Sequence, residues 1–113
     1  KLCSAEGEMI VKSTHKGVKA VSTQTADIMN HLLINNVTQP QALAKEAAID
    51  GIEVAGKTGT AEVVGRGNNA WFVGFAPADD PKIAICVLVE DAGTASSEAV
   101  PIAGEILDAY LNN

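Results

Sequence analysis

Apolar positions in this chain follow two spacings, and the changes between them mark out the elements. Met9-Ile10-Val11 and Val18, Ala20 and Val21 flank a polar turn containing Gly17, so residues 8–21 read as an N-terminal hairpin. The spacing then lengthens. Ser22 is a helix cap, and Ala26, Met29, Leu32 and Leu33 fall on one face of a helix reaching about Asn36, where Asn35-Asn36 is a stop signal. Pro is tolerated in a first turn, so Thr38-Gln39-Pro40 opens a second, Ala-rich helix to about Ile49, broken by Asp50-Gly51. Alternating and branched runs follow: strands over Glu53–Val64 and Ala70–Ala76 joined through Gly65-Arg66-Gly67-Asn68-Asn69, then the turn Pro77–Pro81. The third strand, Lys82–Glu90, carries apolar residues on both faces and is expected to be central or covered. After a polar loop at Gly93–Ser97, a last helix from Glu98 or Ala99 to Leu111 aligns Ala99, Ile102, Ala103, Ile106 and Tyr110 as the stripe facing the meander. The predicted fold class is α+β: an antiparallel β meander of three main strands plus the N-terminal hairpin, packed against helices.

Composition narrows the class. At 113 residues the chain is one domain or a piece of one. Apolar residues make up 47% and charged residues 19%, the balance of a globular chain rather than a disordered one. With few aromatics, the core is built from Ala, Val, Ile and Leu, and Trp71, Phe72 and Phe75 read as packing residues rather than ligand contacts. Net charge is −6 with no Lys/Arg cluster, which argues against nucleic acid or an anionic membrane surface as a partner. No apolar run reaches the roughly 20 residues of a membrane span, and nothing resembles a signal peptide. The chain opens on Lys1 and reads as a piece of something longer. Cys86, inside a β run, reads as a small buried thiol rather than half of a Cys3–Cys86 disulfide. Two cysteines with His15 and His31 give no metal spacing, and no cofactor is expected.

The chemistry is concentrated at Lys57-Thr58-Gly59-Thr60, which places a cation, two hydroxyls and an unhindered backbone position along one strand. That equipment suits gripping a carboxylate beside a serine-acylation centre. The overlapping Gly51-Ile52-Glu53-Val54-Ala55-Gly56-Lys57-Thr58 fits the phosphate-binding pattern G-x-x-x-x-G-K-[ST]. A phosphate loop, however, needs a strand before its glycines and a helix starting at the lysine. Here a helical segment precedes and a strand-like run follows, so a P-loop NTPase is the remote alternative.

The run Val54-Ala55-Gly56-Lys57-Thr58-Gly59-Thr60-Ala61-Glu62, followed by Ala70-Trp71-Phe72-Val73-Gly74-Phe75-Ala76-Pro77, closely resembles the transpeptidase domain of class B penicillin-binding proteins. The likeness continues through Ile83–Glu90 into the final helix, so 1–113 reads as the C-terminal part of such a domain. The resemblance implies that Lys57 supplies positive charge near the nucleophile and the substrate carboxylate. It implies that the Thr58 and Thr60 hydroxyls bond that carboxylate, that Gly59 leaves the strand edge clear, and that the Thr60 N–H is an oxyanion-hole donor. Lys57 and Thr60 are thus the candidate catalytic residues, and Lys57, Thr58, Gly59 and Thr60 the candidate substrate-binding ones.

The resemblance also requires a serine with a lysine three residues on, and a Ser-x-Asn, both far upstream. Ser13-Thr14-His15-Lys16 matches the first pattern in letters only, falling in a hairpin turn, and no Ser-x-Asn occurs. Val37-Thr38-Gln39-Pro40 stands where many relatives carry Gly-Thr-Gly, and Asn69 where many carry His. The expectation is one wall of a site without its nucleophile. The intact parent is implied to be a membrane-anchored, extracytoplasmic enzyme that acylates its serine with D-Ala-D-Ala stem peptides and is trapped by β-lactams. A non-catalytic sensor or interaction module on the same fold is the alternative. Without the upstream strands and helices Lys82–Glu90 is expected to become an exposed apolar edge, so the isolated piece is expected to self-associate and to be inactive.

Overall fold

The computed structural model describes residues 2–3, 9–11 and 17–112, with side chains described from residue 17 onward. Strands β1 (Leu2–Cys3) and β2 (Met9–Val11) pair antiparallel as a small separate ribbon. The hairpin expected over 8–21 is therefore half correct: Met9–Val11 is a strand, but its partner is Leu2–Cys3. Residues 17–20 form no strand, and Val18 and Val21 are exposed. This segment runs instead into the first helix, where Lys19 Nζ donates to Thr23 Oγ1 at 3.1 Å.

Helix α1 spans Thr23–Thr38, capped as expected by Ser22, whose Oγ accepts from Thr25 N at 3.0 Å. It continues past the expected stop at Asn36 and ends where Pro40 dictates. Gln39 is forced to an extended ψ of 146° because the residue before proline is sterically excluded from the helical region. The stripe expected to be buried is mostly not: Met29 and Leu32 are half exposed, and only Val37 is fully buried. The predicted second helix is reduced to turns and a short 3-10 segment, Lys45–Ala47. A helix of that length is marginal on its own. The 3-10 turn instead drops the Ala44 and Ala47 methyls into the core.

The meander is present in the expected order: β3 (Ala55–Ala61), β4 (Asn68–Ala76) and β5 (Ile83–Ala92), antiparallel and ordered β3-β4-β5. Asn68 and Asn69 belong to β4 rather than to the turn, where Gly65 takes a φ of 78°. A bulge opposite Asn68 and Ala70 puts Asp91 at φ 50°, and Asp91 Oδ1 accepts from Gly67 N at 3.1 Å. β5 is not a central strand among the described residues. It forms the sheet's far edge, with Ile83, Ile85, Val87 and Val89 turned to the core and Ala84, Cys86 and Leu88 exposed. Cys86 is thus an exposed free thiol, not a buried one, and it is not paired with Cys3.

Helix α2 (Ala99–Leu111) packs on the core face of β4 and β5 and on the 3-10 segment. Its buried residues are Ala99, Val100, Ala103, Gly104 and Leu107, whereas Ile102, Ile106 and Tyr110 are 42–59% exposed. The expected stripe shares only Ala99 and Ala103 with the observed one. The helix is apolar around most of its circumference, and Gly104 decides the orientation by letting the backbone of Glu46 and Ala47 approach it directly. Phe72 is the largest fully buried side chain; its ring lies across the paired glycines Gly56 and Gly74. Trp71, on the opposite face, remains 36% exposed and is not core.

Candidate functional site

The candidate site lies along the outer edge of β3. Among the described residues this strand pairs with β4 alone, in register Lys57↔Val73, Thr58↔Phe72, Gly59↔Trp71 and Thr60↔Ala70. Strand alternation puts Lys57 and Gly59 on the face shared with Trp71 and Val73, and Thr58 and Thr60 on the face of Phe72 and α2. The four residues therefore converge on an edge rather than on one face.

Two contacts fix which backbone groups that edge presents. Asn36, near the end of α1, donates Nδ2 to Gly56 O at 3.3 Å. Lys57 folds along its own strand and donates Nζ to Thr58 O at 2.6 Å. In an antiparallel ladder each residue turns both its N–H and its C=O either toward its partner or away. With the carbonyls of Gly56 and Thr58 outward, Gly56, Thr58 and Thr60 direct their N–H groups outward too. The N–H of Thr60 is thus on an edge with no strand partner among the described residues, with its hydroxyl on the same residue and the Lys57 ammonium three positions back along the strand.

Each side chain has a distinct setting. Lys57 is exposed. Thr58 is partly buried opposite Phe72, and its hydroxyl makes no hydrogen bond to the described residues. At Gly59 an added Cβ would meet only Trp71 Cβ, at 3.6 Å, so the missing side chain leaves open space beside the indole rather than relieving a clash. Thr60 is exposed, and its Oγ1 accepts from Ala95 N at 3.2 Å, in the loop between β5 and α2. Ser13 and Lys16 lie outside the described residues.

Sequence reasoning missed two residues of this arrangement. Asn36 read only as a helix stop, and nothing in the sequence places its amide beside Gly56. Ala95 belongs to a segment read merely as a polar loop. The phosphate-loop alternative fails on geometry: Gly51 sits in a turn at φ 76° and Lys57 lies within β3, so no helix begins at the lysine. None of the described helices is long and apolar enough to cross a membrane.

A family model described as the penicillin-binding protein transpeptidase domain matches residues 2–108. Peptidoglycan D,D-transpeptidase PbpA of Mycolicibacterium smegmatis is 40% identical over 102 residues, which cover 82% of this chain and 20% of that protein. MrdA of Haemophilus influenzae, also a peptidoglycan D,D-transpeptidase, is 35% identical, covering 71% of this chain and 15% of its own length. Among solved structures, penicillin-binding protein A of Mycobacterium tuberculosis, as a ceftriaxone acyl-enzyme complex, superposes with a TM-score of 0.74 at 31% identity over 96% of this chain and 26% of the other. The D,D-transpeptidase domain of an Eggerthella lenta peptidoglycan glycosyltransferase gives 0.70 at 36% identity over 98% and 27%. The chain spans about a fifth of the length of the curated relatives it matches. Its α+β meander, its Lys-Thr-Gly-Thr strand and these similarities agree: the chain belongs to the penicillin-binding protein transpeptidase family, as a partial class B transpeptidase domain.

Proposed function

We propose that this chain forms the β3 wall of a serine D-Ala-D-Ala transpeptidase that cross-links peptidoglycan stem peptides outside the cytoplasmic membrane. In this reading the substrate lies along the free edge of β3. The scissile carbonyl oxygen meets the Thr60 N–H, where backbone donors stabilise charge that develops only as the tetrahedral intermediate forms. The substrate's terminal carboxylate meets the Thr58 and Thr60 hydroxyls, and the Lys57 ammonium supplies the compensating charge. The serine attacks the carbonyl carbon, the peptide C–N bond breaks, and D-Ala leaves with a proton. An amine of a second stem peptide then takes the acyl group and regenerates the serine hydroxyl. β-Lactams, which carry a comparable carbonyl and carboxylate, acylate the same serine.

One observation carries the proposal: over the four residues Lys57–Thr60, the outward edge of β3 joins a backbone N–H with no strand partner among the described residues, a hydroxyl and an ammonium. The serine is supplied from outside the described residues, and the 113-residue chain alone is inactive.

Intact-mass spectrometry after incubation with a reactive penicillin tests both parts. The full-length protein should gain the mass of one penicillin, and the 113-residue chain should gain none. An unmodified full-length protein would overturn the transpeptidase reading. An adduct on the short chain would instead bring Ser13 and Lys16 into the site as nucleophile and base.

A further inference from the structure

The loop from Gly93 to Ser97 does more than connect β5 to α2. Ala95 is held on three sides: its methyl is buried at 3% exposure, its carbonyl accepts from Val100 N at 3.0 Å, and its N–H is given to Thr60 Oγ1 at 3.2 Å. Hydroxyls brace the loop around it. Ser97 Oγ accepts from Thr94 N at 3.3 Å, and Thr94 Oγ1 lies 3.0 Å from Ser96 Oγ and 3.1 Å from Ser97 Oγ. Glu98 N closes the turn onto Thr94 O at 3.1 Å. The loop therefore presents one fixed backbone donor to a side chain on the strand that carries the candidate site.

A threonine hydroxyl has one proton and two lone pairs, and the proton turns to suit its surroundings. With a lone pair committed to Ala95 N–H, the proton cannot point at Ala95, because two hydrogens would face each other. It is directed away, toward the exposed side of Thr60. We infer that Ala95, through its N–H, is a positioning residue that sets the Thr60 hydroxyl as a donor to an incoming carboxylate. The inference rests on the transpeptidase reading and deepens it, since it says why this hydroxyl favours an anionic acceptor over a ligand that offers a donor. The lone pair toward Ala95 is already taken, and the amide polarises the O–H bond in the direction that strengthens its donation. No charged side chain is needed for this effect, and a loop distant in sequence from the Lys-Thr-Gly-Thr strand becomes part of how that strand selects.

The test uses the full-length protein and two ligands, a penicillin and its carboxyl methyl ester, with noncovalent affinity and acylation rate resolved separately. Ala95→Pro removes the N–H. It should weaken noncovalent binding of the acid by about tenfold, the scale of one hydrogen bond to a charged group, and that of the ester by less than about twofold. In a Thr60→Val background, Ala95→Pro should have no further effect, because the group it acts through is gone. Thr60→Ser should retain the wild-type preference for the acid. Ser97→Ala loosens the loop while keeping Ala95 N–H, and should give a smaller loss with the same acid-over-ester dependence. It serves as the test if Ala95→Pro does not fold, which circular dichroism will show. Equal losses on acid and ester, or additive losses for Thr60→Val and Ala95→Pro, would make the loop a merely structural support and overturn the inference. A wild-type protein that forms no adduct with the penicillin overturns the transpeptidase reading itself, a separate failure that the control reaction identifies.

Discussion

At the scale of single residues, the glycines near the Lys-Thr-Gly-Thr strand separate packing from the role proposed for that strand. Gly74 and Gly56 are packing glycines. A Cβ at Gly74 would stand 2.8 Å from both Ala55 O and the Phe72 ring, and one at Gly56 would enter the same ring. Gly74→Ala should therefore destabilise the chain by about 1–3 kcal/mol, the usual cost of overpacking, because one of the two obstacles is backbone and cannot rotate away. Gly59→Ala should leave the melting temperature almost unchanged, since its Cβ meets only ordinary contact at 3.6 Å. Thermal denaturation of the two variants side by side decides this, and a larger loss at Gly59 would contradict the assignment. Lys57 is the counterpart on the side of the proposed function. Exposed and, among the described residues, hydrogen-bonded only to the neighbouring carbonyl, it contributes little to folding, so Lys57→Met should shift stability by no more than about 0.5 kcal/mol. In the full-length protein the same change should cut penicillin acylation by about 10²-fold or more, the scale of losing one electrostatic contact to the transition state. Acylation within a fewfold of wild type would remove Lys57 from the site. Both the residue types and the strand that carries them were legible in the sequence. That Thr58 and Thr60 turn their N–H groups outward was not, because it depends on strand order and on Asn36, an amide whose partner is twenty residues away.

At the scale of elements, local chemistry predicted well wherever it acts within a few residues, and poorly wherever an element had two ways to pack. Ser22 caps α1 as its hydroxyl requires, and the meander's order follows from its turns. The end of α1 was misplaced because Asn35-Asn36 is a weaker stop than the steric restriction Pro40 imposes on Gln39. The face of α2 was misassigned for a different reason. Its apolar residues cover two stripes, and periodicity cannot choose between the stripe of large side chains and the one containing Gly104. Close approach chooses: a Cβ at Gly104 would collide with Glu46 O. Gly104→Val should therefore separate α2 from the 3-10 segment and cost about 2–4 kcal/mol, through overpacking and lost burial of Ala47 and Ala103. Ile106→Ser, on the exposed stripe, should cost less than about 1 kcal/mol in the same chain. Urea midpoints at a common m-value are the measurement, and the reverse ranking would mean that the large stripe is the packed one.

At the scale of the whole molecule, one face of the sheet is covered and the other is largely not. α2 and the 3-10 segment bury Phe72, Ala70 and Ala76, whereas Trp71, Val73 and Leu88 stand 36–47% exposed on the opposite face. Trp71 pairs with Leu88 and Val73 with Cys86 across β4 and β5, so these side chains form one continuous apolar surface rather than scattered exposed residues. That surface ends at β5, whose outer ladder groups have no strand partner among the described residues. An open edge beside an apolar face is the combination that natural sheets avoid by charge, proline or closure, and this strand carries none of these between Ile83 and Val89. The net charge of −6 opposes association over distance, but that repulsion is screened beyond about 8 Å at physiological salt while the apolar contact is not. The 113-residue chain should therefore self-associate, with a weight-average mass in multi-angle light scattering that rises with concentration and persists at high salt. Leu88→Lys places a charge on both the face and the edge strand and should return the chain to a monomer without lowering its melting temperature by more than a few degrees. A wild-type chain that stays monomeric at high concentration would show that α1 or the N-terminal ribbon shields this surface, and would remove the apolar face as the source of association.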